Sequence, residues 1–218
     1  KLGDSIEAKV TVLFTDIRDY TSITENLSPQ QSFELINNYL NVMGPIIRAH
    51  GGFINLYLGD AIMALFPRDA DDAVKAVQEM SEALITHNIQ EAKANHPILR
   101  VGYGVNTGLA MLGTIGDQER MDANVISDTI NLASRIESLN KFYETEFLLS
   151  EATLKALVNP NTFIKRVVDK VQVKGKNERQ VVTEFKFEDD KKSLEFGKMG
   201  QVGFFAHLGS GSATLSST

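Results

Sequence analysis

The run Gly51-Gly-Phe-Ile-Asn-Leu-Tyr-Leu-Gly-Asp-Ala-Ile-Met-Ala-Leu-Phe66 sets the topology. Its paired glycines stop whatever helix precedes them. Two apolar runs follow, Phe53–Leu58 and Ile62–Phe66, with Gly59-Asp60 between them. A short Gly-containing break between two such runs reads as a β-hairpin. Moving outward toward the N-terminus, Ser28 can cap a helix, Pro29 suits its first turn, and Gln31 completes a Ser-x-x-Gln capping box. Phe33, Ile36, Leu40, Met43 and Ile47 then recur at helical spacing as far as the glycines. Before that helix, Val10-Thr-Val-Leu-Phe14 is an apolar, β-branched run that reads as a buried strand. Moving outward toward the C-terminus, Asp71 to Lys93 reads as an amphipathic helix with Val74, Val77, Met80 and Leu84 on its apolar stripe. Two strands are expected next, Arg100–Asn106 and Ala110–Ile115. The order β-α-β-β-α-β implies an α/β sandwich: a ferredoxin-like split βαβ core, with helices packed on a mainly antiparallel sheet.

The rest of the chain adds to this core. Ser127 to Lys141 reads as a third helix with Ile130, Ala133, Ile136 and Leu139 inward. Ser150–Leu157 reads as a short capped helix, and Ile164–Val173 and Gln180–Phe187 as strands around a turn at Lys174–Arg179. From Lys191 onward, Gly197, Gly200, Gly203 and Gly209-Ser-Gly-Ser212 break any periodicity. The expected division is therefore a domain over 1–190 and a Gly/Ser-rich tail over 191–218, either flexible or ordered by something outside the chain.

Composition excludes several classes of function. The 218 residues carry 22 Lys+Arg against 28 Asp+Glu, a net charge of −6 that argues against broad nucleic-acid binding. With no Cys there are no disulfides, zinc ribbons or cysteine nucleophiles, which fits a reducing, cytoplasmic setting. No apolar run is long enough to span a bilayer. The start at Lys1-Leu2-Gly3-Asp4 has neither an initiator Met nor a signal-peptide pattern, as expected of a piece of a longer protein.

Chemistry is concentrated at two places. Phe14-Thr-Asp-Ile-Arg-Asp-Tyr-Thr21 puts Asp16 where a buried strand gives way to a loop, and Asp60 sits at the tip of the hairpin. If those strands are neighbours, the two carboxylates face each other and repel unless a cation lies between them; hard oxygen ligands suit Mg²⁺ or Mn²⁺. Loop amides after Asp16 are then free for phosphate oxygens. Spacing alone leaves a second reading open, in which both are turn and cap residues. Arg18 and Asp19 read as a solvated face. The second place is the third helix, where Asn131 and Arg135 are four apart and share a face opposite the apolar positions. An amide beside a guanidinium suits phosphate and ribose oxygens, and a solvent-facing polar stripe is the alternative. Asp128 lies on the same stripe and can cap the helix. None of His50, His87, His96 or His207 is assigned a role.

Three segments together carry a resemblance: Phe14 to Thr21, Gly51 to Phe66, and Val125-Ile-Ser-Asp-Thr-Ile-Asn-Leu-Ala-Ser-Arg135. In order and interval they resemble class III nucleotidyl cyclase catalytic domains, over about Glu7 to Glu188. The resemblance implies that Asp16 and Asp60, assisted by the Ile17 carbonyl, hold two divalent ions, Mg²⁺ or Mn²⁺, that bind a nucleoside triphosphate. It implies that Asn131 orients the ribose and Arg135 meets charge developing on the α-phosphate, and it places Phe14, Thr21 and Lys174 at the substrate. It further implies a head-to-tail homodimer, in which one chain supplies the acidic pair and the other the Asn–Arg pair. An upstream sensor domain is usual in such proteins. The reaction implied is attack of the ribose 3′-oxygen on the α-phosphate with release of pyrophosphate.

The chain departs from the family pattern at the base. ATP-using members carry a Lys where Leu56 stands and an Asp or Thr where Asn124 stands; guanylate cyclases carry an acid at the first position. Leu56 offers a purine no hydrogen bond, whereas Asn124 has both a donor and an acceptor. ATP is the favoured substrate because the adenylate branch is the commoner. A guanylate or dual-specificity cyclase is the first alternative, and a degenerate nucleotide-binding domain the second. Leu109 replaces a basic phosphate contact of some relatives. A diguanylate-forming cousin is set aside, since Phe53 and not an acidic pair follows Gly51-Gly52.

Overall fold

A computed structural model describes residues 5–116, 121–162, 164–171 and 180–186, with the side chains of 114–126, 162, 164, 171, 180 and 186 outside that description. The strands are β1 (Ser5–Ile17), β2 (Phe53–Leu58), β3 (Ala61–Phe66), β4 (Val101–Gly116), β5 (Met121–Ile126), β6 (Phe147–Ser150), β7 (Ile164–Val171) and β8 (Gln180–Lys186). The helices are α1 (Tyr20–Thr24), α2 (Pro29–Ala49), α3 (Ala70–Lys93), α4 (Asp128–Tyr143) and α5 (Glu151–Ala156).

Strand order is β2-β3-β1-β4-β6-β8-β7, with β5 folded back on β4. The first four strands are antiparallel neighbours joined through α2 and α3, which is the expected split βαβ core. Among the described residues the single parallel pair is β4 with β6, from Tyr103↔Phe147 to Val105↔Leu149. Side chains alternate across the sheet. On one face, Val10, Val12 and Phe14 of β1 pack with Met63, Leu65 and Ala110 against Ala133 of α4. On the other, Thr15 of β1 meets Tyr39 of α2, hydroxyl to hydroxyl at 2.9 Å. All described residues belong to one compact unit that ends at Lys186.

The capping box at Ser28 and Gln31 forms in both directions, and Gly59 takes the positive φ of 64° that the hairpin turn requires. Three features differ from the sequence expectation. The strands expected at Arg100–Asn106 and Ala110–Ile115 are one continuous strand. Thr107-Gly108 makes no turn: Gly108 stays in the ladder opposite Val10, and its bareness serves α4, since a Cβ there would lie 2.5 Å from Thr129 Oγ1. The buried stripe of α2 runs through Leu35, Tyr39, Met43, Ile46 and Ile47, leaving Phe33 71% exposed. Finally, β5 and β6 were not expected as strands: β5 is mixed in character, and β6, though apolar and buried, is only four residues long. The 191–218 tail lies outside the described residues.

Candidate active site

Asp16 stands at the end of β1, paired in register with Gly102 of β4. Asp60 lies in the β2–β3 turn, and the β1–β3 pairing brings that turn beside the β1 end: the Ile17 amide donates to Asp60 Oδ2 at 3.1 Å. The two carboxylates are close enough to hydrogen-bond. Partial burial, then the Asp60 charge and that hydrogen bond, push Asp16 up to about 6, against the opposing cations of Arg18 and Lys141. Two carboxylates that resist joint ionisation are the donor set a divalent cation relieves. This pair fits Mg²⁺ or Mn²⁺ on that chemistry. No cluster of three or more His, Cys, Asp or Glu side chains suited to a metal occurs among the described residues, so the side-chain donors there are these two.

The Asn–Arg pair is built on α4, the helix packed on the sheet face to which Val10, Val12 and Phe14 point. Ser127 caps α4 by accepting from the Thr129 amide, and the Ser127 and Thr129 hydroxyls both donate to the Leu109 carbonyl, at 2.5 and 2.8 Å. Asn106 adds a bond from its Nδ2 to the Thr129 carbonyl at 2.9 Å. These contacts fix the start of α4 on β4. Leu132, Ala133, Ile136, Glu137 and Asn140 turn inward, while Asn131 is exposed and Arg135 half-buried on another face. Asp16 and Asp60 are brought together, and Asn131 and Arg135 share a stripe of α4 distinct from the one that carries Glu137 and Lys141.

The remaining candidates are placed as follows. Phe14 is buried in the core cluster under α4. Thr21 is exposed on α1, and its carbonyl accepts from the Glu25 amide. Leu56 is 44% exposed on the edge strand β2, beside a bulge in the β2–β3 register. Asn124 pairs with Gly113 in the β4–β5 ladder. Leu109 is exposed. Lys174 lies outside the described residues.

Sequence reading missed what lies behind Asp16. Arg18 is not on a solvated face: its side chain is 14% exposed and its guanidinium ion-pairs with Glu137 of α4 at 3.0 Å, the Glu137 side chain being 8% exposed. Burial pushes Glu137 up to about 7 in spite of that cation. Asp19 does face solvent, with a left-handed φ of 56°, and it pairs with Arg100 at 3.0 Å and Lys141 at 3.7 Å. The overlooked signal was Gly102-Tyr-Gly104. A Cβ on Gly104 would lie 2.3 Å from the Glu137 amide nitrogen, and one on Gly102 would lie 1.9 Å from the Arg18 guanidinium. Glycines two apart on a strand mark where another backbone crosses closely.

Residues 5–186 match the family model described as the adenylate and guanylate cyclase catalytic domain. The chain belongs to this cyclase family. An adenylate cyclase of Anabaena cylindrica is 41% identical over 192 residues, 85% of this chain but 38% of the relative. The chain thus spans well under half the length of that curated relative. Among solved structures, the adenylyl cyclase CyaB from P. aeruginosa matches with a TM-score of 0.73 at 30% identity, covering 85% of this chain and 97% of that one. The guanylyl cyclase Cya2 matches equally well, with a TM-score of 0.73 at 32% identity over 83% and 93%. The mixed α/β sheet of this cyclase-family domain is the fold those structures share. No helix among its described residues is long and apolar enough to cross a membrane.

Proposed function

We propose that this domain is a purine nucleotidyl cyclase that converts ATP to 3′,5′-cyclic AMP and pyrophosphate. The observation that carries the reading is the Asp16–Asp60 pair, two carboxylates held against their mutual repulsion at the end of a buried strand. Two divalent cations, Mg²⁺ or Mn²⁺, held there with the Ile17 carbonyl supply charge neutralisation of the triphosphate and a lower pKa for the ribose 3′-hydroxyl. In this reading Asp16 and Asp60 serve the triphosphate by holding those cations, Phe14 and Thr21 belong to the substrate site, and Lys174 is assigned to the phosphates by the family resemblance. Asn131 orients the ribose and Arg135 stabilises the charge that develops on the α-phosphate, so that positioning and electrostatics supply most of the rate.

The working unit in this reading is a head-to-tail homodimer. Asp16 and Asn124 sit opposite Gly102 and Gly113 of the same unbroken strand. Eleven residues of strand separate those partners, about 37 Å at the usual rise. One nucleotide served by both residues therefore draws them from different chains. The exposed apolar side chains of edge strand β2, Phe53, Leu56, Tyr57 and Leu58, are a surface that a second copy can cover. The length of the Anabaena relative supports an upstream sensor domain, and the composition supports a cytoplasmic setting without nucleic-acid partners.

Leu56 favours a second reading at the base. A leucine lets either purine in without rewarding one of them, so guanylate or dual activity is the alternative. The test is product formation from ATP and from GTP, each with Mn²⁺ and with Mg²⁺, read by chromatography. Cyclic AMP in excess bears out the reading, and comparable products mean a relaxed base pocket. Bound nucleotide without cyclic product assigns the domain to regulation instead.

A further inference from the structure

We propose that Glu137 is a positioning residue that holds the Arg18 guanidinium away from Asp16, and so keeps the acidic pair open to a divalent cation. This rests on the reading of Asp16 and Asp60 as cation ligands. Asp16 and Arg18 are two residues apart where β1 ends, and the Arg18 amide extends the strand ladder by donating to the Arg100 carbonyl at 2.7 Å. Residues two apart on a strand point the same way. Arg18 thus carries a fixed cation on the side of the sheet where Asp16 projects, and its field already reaches Asp16. A guanidinium this buried requires a carboxylate partner. Glu137 provides one at 3.0 Å, from the helix on that face.

The space for this pair is made by Gly102, the residue in register with Asp16. A Cβ there would lie 1.9 Å from the Arg18 guanidinium and 2.4 Å from Glu137 Oε1. A second tie runs in parallel. Lys141, one helical turn beyond Glu137 and on the same stripe, pairs with Asp19 at 3.7 Å, and Arg100 holds Asp19 from β4 at 3.0 Å. Both charged residues after Asp16-Ile17 are thereby held by α4. Asn131 and Arg135 lie on a different stripe of that helix, roughly 120° away at the α-helical pitch. Without Glu137, Arg18 is released toward Asp16, a carboxylate on which its charge already acts. An organic cation would then occupy the ligand that Mg²⁺ or Mn²⁺ needs.

The test is Mn²⁺ binding to the whole chain without nucleotide, read from the electron paramagnetic resonance signal of free Mn²⁺, with melting temperature recorded alongside. A charge beside a carboxylate changes its affinity for a cation by about 10- to 1000-fold. Glu137→Gln is therefore expected to weaken Mn²⁺ binding by about tenfold or more. The double variant Arg18→Gln/Glu137→Gln recovers native-like affinity, and Arg18→Gln alone binds at least as tightly as the native chain. Native affinity in Glu137→Gln overturns the proposal, as does a double variant that melts like the native chain without recovering. If Glu137→Gln does not fold, Arg18→Gln decides, because weakened binding in that folded variant overturns the proposal. A native chain that binds no Mn²⁺, or binds it equally after Asp16→Ala, removes the cation reading of the acidic pair and this inference with it.

Discussion

Asp16 and Asp60 behave as one unit because each sits in the other's field. In Asp16→Ala or Asp60→Ala, cyclic nucleotide production is expected to fall by at least about 10²-fold, the scale of losing a group that stabilises developing charge. Full activity in either variant, measured by product chromatography at saturating Mn²⁺, would remove both residues from the site. Tyr39 lies under this pair, fully buried with its hydroxyl on Thr15. Tyr39→Phe strands the buried Thr15 hydroxyl and is expected to cost about 1–3 kcal/mol, measured by urea unfolding. The sequence displayed Asp16 and Asp60 openly, as acids at a strand end and a hairpin tip. Arg18 was not legible in the same way. A charged residue in a polar loop is usually solvated, and only the bare Gly102 opposite shows that a buried ion pair fits there.

Elements were legible where punctuation was strong. The Ser28 capping box and the Gly59 turn stand where the residues put them, whereas the cap of α4 is Ser127 and not Asp128. They failed where a residue had a job in packing across layers. Gly108 looked like a break in β4 but makes room for Thr129, and Phe33 fell on the apolar stripe of α2 yet faces outward. Local pattern cannot register a partner that arrives from another part of the chain. The seating of α4 on β4 supplies the prediction at this scale. Gly104→Ala drives a Cβ to 2.3 Å from the Glu137 amide nitrogen, a backbone atom that cannot rotate aside. The expected cost is about 1–3 kcal/mol of stability or more, as in other overpacked interiors. Catalytic turnover falls further than nucleotide affinity, because α4 carries Asn131 and Arg135. Unchanged kcat in a folded Gly104→Ala chain would separate the seating of α4 from catalysis.

For the whole molecule, two carboxyl groups link stability to pH. Asp16 is raised from 3.8 to about 6 and Glu137 from 4.5 to about 7, both chiefly by burial. Between those limits the folded chain holds more protons than the unfolded one, so stability falls as pH rises. The favourable contribution is complete below the ordinary carboxylate range and lost once pH passes about 7. Metal-free protein is expected to melt higher near pH 5 than near pH 7.5, with a smaller difference in Asp16→Asn. Added Mn²⁺ restores stability at the higher pH, because it binds the folded carboxylates. The proposed dimer makes a further prediction. Inactive Asp16→Ala and Arg135→Ala chains, once mixed and re-equilibrated, form heterodimers with one whole site. Random pairing sets the ceiling at about a quarter of native activity. No recovery despite proven exchange of chains would exclude a shared site.

The glycines under α4 have a consequence in terms of descent. In the function proposed above, a gene copy released from making product can replace Asp16, Asn131 or Arg135 at little cost to folding, since that function assigns those side chains to the site. It cannot put a side chain at Gly104 without unseating a helix that the core needs. Loss of activity and loss of fold therefore leave separate marks, with the polar site residues eroding early and the bare strand positions late. A lineage with Gly102 and Gly104 kept but Asp16 gone would be a retired enzyme still used as a folded part.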